Sequence, residues 1–216
     1  DFPSTNSFQT ASNGGQEGCI IKMDNQLTSI IWSTYLGGTN DDAIYSLALD
    51  DNDDIYVTGG TNSIDFPTTT NAHQTSYQDS IKADAFVTKI SSNGGQVLAS
   101  SYFGTNQYDQ SYFVEIGSNA AVYLFGQTKA SATELVQNAT YFQSGAGQFI
   151  AIFTEDLDSV LRATVLGTGK GTPDISPTAF LVDVCDKSYF FGWGSNLGGP
   201  LSTLNLPVSV NAYQST

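Results

Sequence analysis

Residues 56–59, Tyr56-Val57-Thr58-Gly59, return as Tyr123-Leu124-Phe125-Gly126 and again as Tyr189-Phe190-Phe191-Gly192, at spacings of 67 and 66 residues. A second anchor keeps step with the first: Tyr35-Leu36-Gly37, Tyr102-Phe103-Gly104 and Val165-Leu166-Gly167. Gln9, Gln74, Gln143 and Gln214 mark a third, and DFPSTNSFQT at residues 1–10 parallels DFPTTTNAHQT at residues 65–75. Three anchors in fixed order describe one supersecondary unit copied along the chain, the pattern expected of an all-β propeller.

Each unit reads as a blade of four short antiparallel strands, A to D. Strand A is predicted at residues 45–50, where Leu47 and Leu49 alternate with Ser46 and Ala48. Asp50-Asp51-Asn52-Asp53-Asp54 offers turn chemistry, and strand B follows at 55–61. A long connection at 62–82, holding Pro67, is expected to run over the surface. Strand C is then placed at 83–91, a tight hairpin at Ser92-Asn93-Gly94-Gly95, and strand D at 96–103.

The next unit places its strands at 112–116, 121–128, 148–154 and 160–166. Only C and D precede the first full unit, at 17–22 and 28–35, and only A and B follow the second, at 179–184 and 189–193. The chain thus divides into an opening half-blade at 1–43, blades at 44–110 and 111–177, and a closing half-blade at 178–216, about three blades' worth.

Composition agrees. Gly 21, Tyr 11 and Phe 13 in 216 residues, with few runs of strong helix formers, suit short strands joined by turns. Seven Lys+Arg against 21 Asp+Glu give a net charge of −14, which disfavours nucleic acid and anionic membranes as partners. No stretch approaches the apolar length of a membrane span, so membrane insertion is not expected. The opening Asp1-Phe2-Pro3 reads as a processed or excised segment.

STYLGGTNDDAIYSLALDDNDDIYVTGGTNSIDFPTTTNAHQ and ADAFVTKISSNGGQ resemble the SBBP, or seven-bladed β-propeller, repeat of bacterial surface and secreted proteins. The likeness is closest over residues 33–96 and weakens beyond, where FGTNQYDQ and LGTGKGTPDISP depart from it. SPTAFLVDVCDKSYFFGWGSN also resembles a stretch of long gliding-motility-associated surface proteins of Bacteroidetes. These resemblances imply a secreted or cell-surface location and no defined activity.

Propellers commonly close with four to eight blades, so three blades' worth needs completion, either by further blades or by a homodimer sharing one ring. Cys19 occupies strand C where Phe86 stands in the next unit, and Cys185 lies in an A–B turn. Ring closure would let them pair; otherwise both are expected as buried free thiols.

No nucleophile elbow, Walker loop, dinucleotide fingerprint or metal-ligand spacing occurs, so no catalytic residue and no metal site is assigned. His73 is expected in a surface loop. Asp50, Asn52 and Asp54 alternate like the start of a Ca2+ loop but lack its glycine and distant glutamate; a plain hydrogen-bonded turn is the simpler reading. Gly167 to Gly171 reads as a D–A turn.

The D–A connections gather at one mouth of the channel and carry Asp41, Asp42, Asp109 and Asp174, either as an acidic ring or as acceptors within their own turns. Tyr108 and Trp193 lie near that face and would stack on a sugar, with blade packing the competing role for Trp193 and Trp32. The leading functional expectation is a non-enzymatic extracellular module, a spacer or adhesion platform for cell-surface polysaccharide or another surface protein. A carbohydrate-active enzyme with carboxylates at the mouth is the alternative, and a Ca2+-stabilised module a third.

Overall fold

The computed structural model describes residues 2–78, 82–195 and 201–213. Among them it places twelve strands: β1 Gly18–Met23, β2 Ile30–Leu36, β3 Asp42–Leu49, β4 Ile55–Thr61, β5 Asp84–Ile90, β6 Val97–Phe103, β7 Asp109–Ile116, β8 Val122–Thr128, β9 Gln148–Phe153, β10 Val160–Leu166, β11 Ser176–Val182 and β12 Ser188–Trp193. They form two four-stranded antiparallel sheets, β3-β4-β5-β6 and β7-β8-β9-β10, flanked by the two-stranded sheets β1-β2 and β11-β12. In chain order the sheets hold two, four, four and two strands. One short helix, α1 Ala132–Leu135, was not foreseen; Ser131 caps it, with its N–H and hydroxyl both bonded to Glu134 Oε2.

Blades stack face to face. Strands β4, β5 and β8 are buried along their whole length, because a neighbouring blade covers each face. Ile55 and Val57 point back to Ile20, Trp32 and Leu36 of the opening half-blade. Tyr56 points forward to the next blade, joining Val87, Phe103, Leu124 and Phe149. Phe125, Ile175 and Phe180 fill the third interface. The A strands β3, β7 and β11 lie innermost and touch in succession.

All three A strands begin three residues earlier than the alternation of Leu and Ala suggests. The reason is a bulge at the same place in each, between Ile44 and Ser46, Ser111 and Phe113, and Pro177 and Ala179, which interrupts the period-2 pattern without ending the strand. This bulge also explains the glycine of the first anchor. A Cβ on Gly59 would lie 1.8 Å from the Ala43 carbonyl oxygen, and one on Gly126 2.3 Å from that of Gln110. Strand B can pass the bulge only where it has no side chain.

The B–C connections are straps over the outer edge. Thr69 N–H donates to Ser100 O and Tyr102 N–H to Gln74 O, so residues 69–74 lie along β6. Thr5 bridges Ser33 on β2, and Gln137 bridges Ala163 on β10. Each D strand would otherwise present an open edge, and the strap covers it. The glutamine anchor fixes the strap end: Gly104 N–H donates to Gln74 Oε1 at 3.0 Å, and Gly37 N–H to Gln9 Oε1 at 3.1 Å. Gln214, the fourth copy, lies outside the described residues.

Candidate functional site at the channel mouth

The D–A turns and strap ends meet on one face of the stack. There the aspartates open each A strand and fold inward. Asp42, Asp109 and Asp174 are all at most 1% exposed. Asp42 Oδ2 accepts from Gly38 N–H at 2.7 Å and Ser63 Oγ at 2.8 Å. Asp109 Oδ2 accepts from Thr105 N–H and Oγ1, and its Oδ1 from Thr128 Oγ1 at 2.5 Å. Asp174 takes Thr168 N–H and Oγ1, with Lys170 Nζ 3.0 Å away.

The turn reading of these three acids is therefore the one the geometry supports. They brace the D–A turn of their own blade and do not face solvent as an acidic ring. Burial pushes the Asp109 carboxyl up to about 6 despite its threonine donors, and burial raises Asp42 as well.

Asp41 alone of the acids predicted at the mouth is exposed. Its Oδ1 accepts from Gln16 N–H at 2.9 Å, which ties the strap end of the opening half-blade to the mouth. Tyr108 is held down among polar neighbours: its hydroxyl donates to Gln110 Oε1 at 2.5 Å, and Lys129 lies over its ring at 5.9 Å. Burial lifts its pKa above the ordinary tyrosine range. Trp193 is 61% exposed at the far end of the stack, not packed between blades, whereas Trp32 is buried and donates to Ser92 O at 3.1 Å.

Asp41 shares a cleft of about 250 Å³ with Gln16, Tyr45, Asn62, Gln110 and the backbone of Gly60. The bulge in β3 turns Tyr45 into this cleft's wall, stacked at 5.2 Å on Tyr112 from the equivalent bulge of β7. Asn62 Oδ1 is buried there with no hydrogen-bond partner among the described residues. Larger hollows of about 380 and 630 Å³ lie at the opposite end of the strands, beside Tyr123 and Arg162 and beside Trp32 and Asn93. The first brings Asn119 and Glu155 beside Tyr123 but adds the Arg162 cation and the apolar Ile152 and Leu161, and the second has no carboxylate.

Sequence reading overlooked Tyr45, Asn62, Gln16 and Gln110. A signal existed, since Tyr45 and Tyr112 stand 67 residues apart, in step with the anchors.

Asp50 Oδ1 accepts from Asn52 and Asp54 N–H, so its acidic loop is a hydrogen-bonded turn, and no metal-binding cluster occurs among the described residues. His73 sits in the strap, the surface connection expected for it, and packs down onto the blades. It is half-buried between blades, 5.8 Å from the Phe153 ring, and burial lowers its pKa. Cys19 and Cys185 are free and are not buried: Cys19 lies on the uncovered face of β1, and Cys185 sits in the exposed β11–β12 turn, as Asn52 does in the β3–β4 turn.

The blade geometry, with four antiparallel strands and straps over the outer edges, defines a β-propeller segment. Residues 31–67, running from β2 through β4 into the first strap, match the family model of the SBBP β-propeller repeat. No curated protein matches the chain.

Proposed function

We propose that this chain is a non-enzymatic propeller module, exported or held at the bacterial cell surface, that serves as a spacer carrying a binding platform at its channel mouth. The ligand class that fits the cleft is a neutral polysaccharide. Planar amides and a carboxylate suit paired sugar hydroxyls, and a tyrosine face suits a pyranose ring. A chain of net charge −14 would repel an acidic polymer.

The observation that carries this reading is the convergence of Gln16, Asn62, Gln110 and the Asp41 carboxylate in one cleft beside Tyr45, which is 47% exposed. Binding is favoured over hydrolysis because Asp42 and Asp109 are enclosed by their own turns and offer no open pair of carboxylates.

A panel of immobilised neutral glycans tests it. Binding should fall at least about tenfold in Tyr45→Ala and Asn62→Ala with unchanged melting temperature, as expected for the loss of an aromatic contact or one satisfied acceptor. Binding unaffected by both substitutions would remove the cleft from the account, and release of reducing ends from any polymer would overturn the non-enzymatic reading.

A further inference from the structure

The mouths of the two four-stranded blades are built on one frame. In the first, Asp42 pairs with Thr61 and Ala43 with Gly60; in the second, Asp109 pairs with Thr128 and Gln110 with Gln127. Just outside the ladder Asn62 N–H donates to Asp41 O, and Lys129 N–H to Tyr108 O. The bulges of β3 and β7 carry Tyr45 and Tyr112 at the same place. Asp41, Ala43, Tyr45, Gly60 and Asn62 all line the open cleft. Their counterparts in the next blade are Tyr108, Gln110, Tyr112, Gln127 and Lys129.

The side chains on that frame differ in size. Ala43 and Gly60 leave room in the first blade, where Asp41 is bonded to Gln16 N–H. In the second blade Tyr108 takes the corresponding space. Its hydroxyl donates to Gln110 Oε1 at 2.5 Å and lies 3.2 Å from the Tyr112 hydroxyl and 3.4 Å from Gln127 Oε1. Lys129 Nζ stands 5.9 Å from the centre of its ring. The counterparts of the open cleft's wall thus surround Tyr108 itself. Gln127 is buried, and its Nε2 donates to Ile175 O at 2.8 Å, which turns Oε1 toward the tyrosine hydroxyls. An amide fixed in this way is an acceptor set in advance for a hydroxyl carried on a ring.

We propose that Tyr108 is the chain's own occupant of a second mouth cleft: a hydroxyl-bearing six-membered ring that holds shut, in this blade, the kind of site that stands open beside Tyr45. The residue just before the buried aspartate acts as the switch, Asp41 leaving its cleft open and Tyr108 filling the other. With Tyr108 removed, the second cleft takes a hydroxylated six-membered ring from solution, and the chain gains a second site for the neutral glycan. That gain rests on the glycan reading of the open cleft. The filling of the second cleft by Tyr108 does not.

Two titrations test the proposal. Phenol, the group severed in Tyr108→Ala, should raise that variant's melting temperature by about 3 °C or more, benzene should do so less, and neither should move the parent. Phenol that stabilises the variant no better than benzene overturns the proposal. In the second titration, the short neutral glycan that binds the parent most tightly should occupy one site in the parent and two in Tyr108→Ala. Tyr108→Asp, which copies the open cleft, is titrated in parallel, so that the result does not hang on the folding of one variant. A single site in both variants overturns the proposal. Glycans that all fail to bind the parent would end the glycan reading, and the phenol result alone would then decide whether Tyr108 fills a cleft.

Discussion

Lys89 Nζ stands 2.9 Å from Glu155 Oε1 and 3.0 Å from Asp50 Oδ2, so one ammonium ties the A–B turn of its own blade to the C–D turn of the next. Burial alone would push this lysine down, yet hydrogen bonds to Tyr56, Glu155 and Asp50 outweigh it and hold the ammonium above the ordinary lysine range.

Removing that ammonium leaves Asp50 nearly buried without its cation. Lys89→Ala should lower unfolding free energy by about 2–4 kcal/mol, while Lys89→Met, which keeps the stem on the Tyr56 ring, loses less. Glu155 is half-exposed, and Glu155→Gln should cost under about 1 kcal/mol. Urea denaturation of the three variants gives the ranking, and equal losses for all three would contradict it.

The bulge makes adjacent glycines unequal. A Cβ on Gly59 meets the Ala43 carbonyl at 1.8 Å, whereas one on Gly60 meets the flexible Gln110 side chain at 3.1 Å. Gly59→Ala should therefore cost at least about 2 kcal/mol through backbone displacement, and Gly60→Ala well under half of that. Thermal melts of the pair decide the matter, and comparable melting temperatures would contradict the bulge account.

Asp109 predicts a pH dependence of definite sign. Its carboxyl, raised from 3.8 to about 6, keeps a proton in the folded protein that the unfolded chain has lost between those values. Its contribution to stability is fully present below about pH 4 and is lost as pH rises through 6, on the order of 3 kcal/mol. Asp109→Asn removes this dependence, so the variant should gain on the parent between pH 4 and pH 7. A difference in melting temperature that stays constant over that range would refute it.

Much of this fold was legible because the chain says the same thing three times. The boundaries of β4 and β10 could be read to the residue, since the Asp50–Asp54 turn marks where β4 starts and Gly167 marks where β10 stops. The starts of β3, β7 and β11 could not, because a bulge leaves no compositional mark until the opposing Gly59, Gly126 and Gly192 are known to face it.

At the mouth, an aspartate in a turn can look outward or cap its own backbone, and spacing alone does not distinguish them. Nearby hydroxyls do: Ser63, Thr105, Thr128 and Thr168 each donate to the buried acid beside them. Tyr45 was missed because its side-chain direction depends on the bulge. The straps were read as surface connections, since nothing local in residues 69–74 tells that β6 needs an edge cover.

The most direct test of the central claim, that the channel-mouth cleft beside Tyr45 binds a neutral polysaccharide, is calorimetric titration of soluble neutral glycans into the parent chain and into Tyr45→Ala. The account predicts saturable binding by the parent and an affinity at least about tenfold lower in the variant. No saturable binding to any neutral glycan, or equal affinities for the two chains, would contradict it.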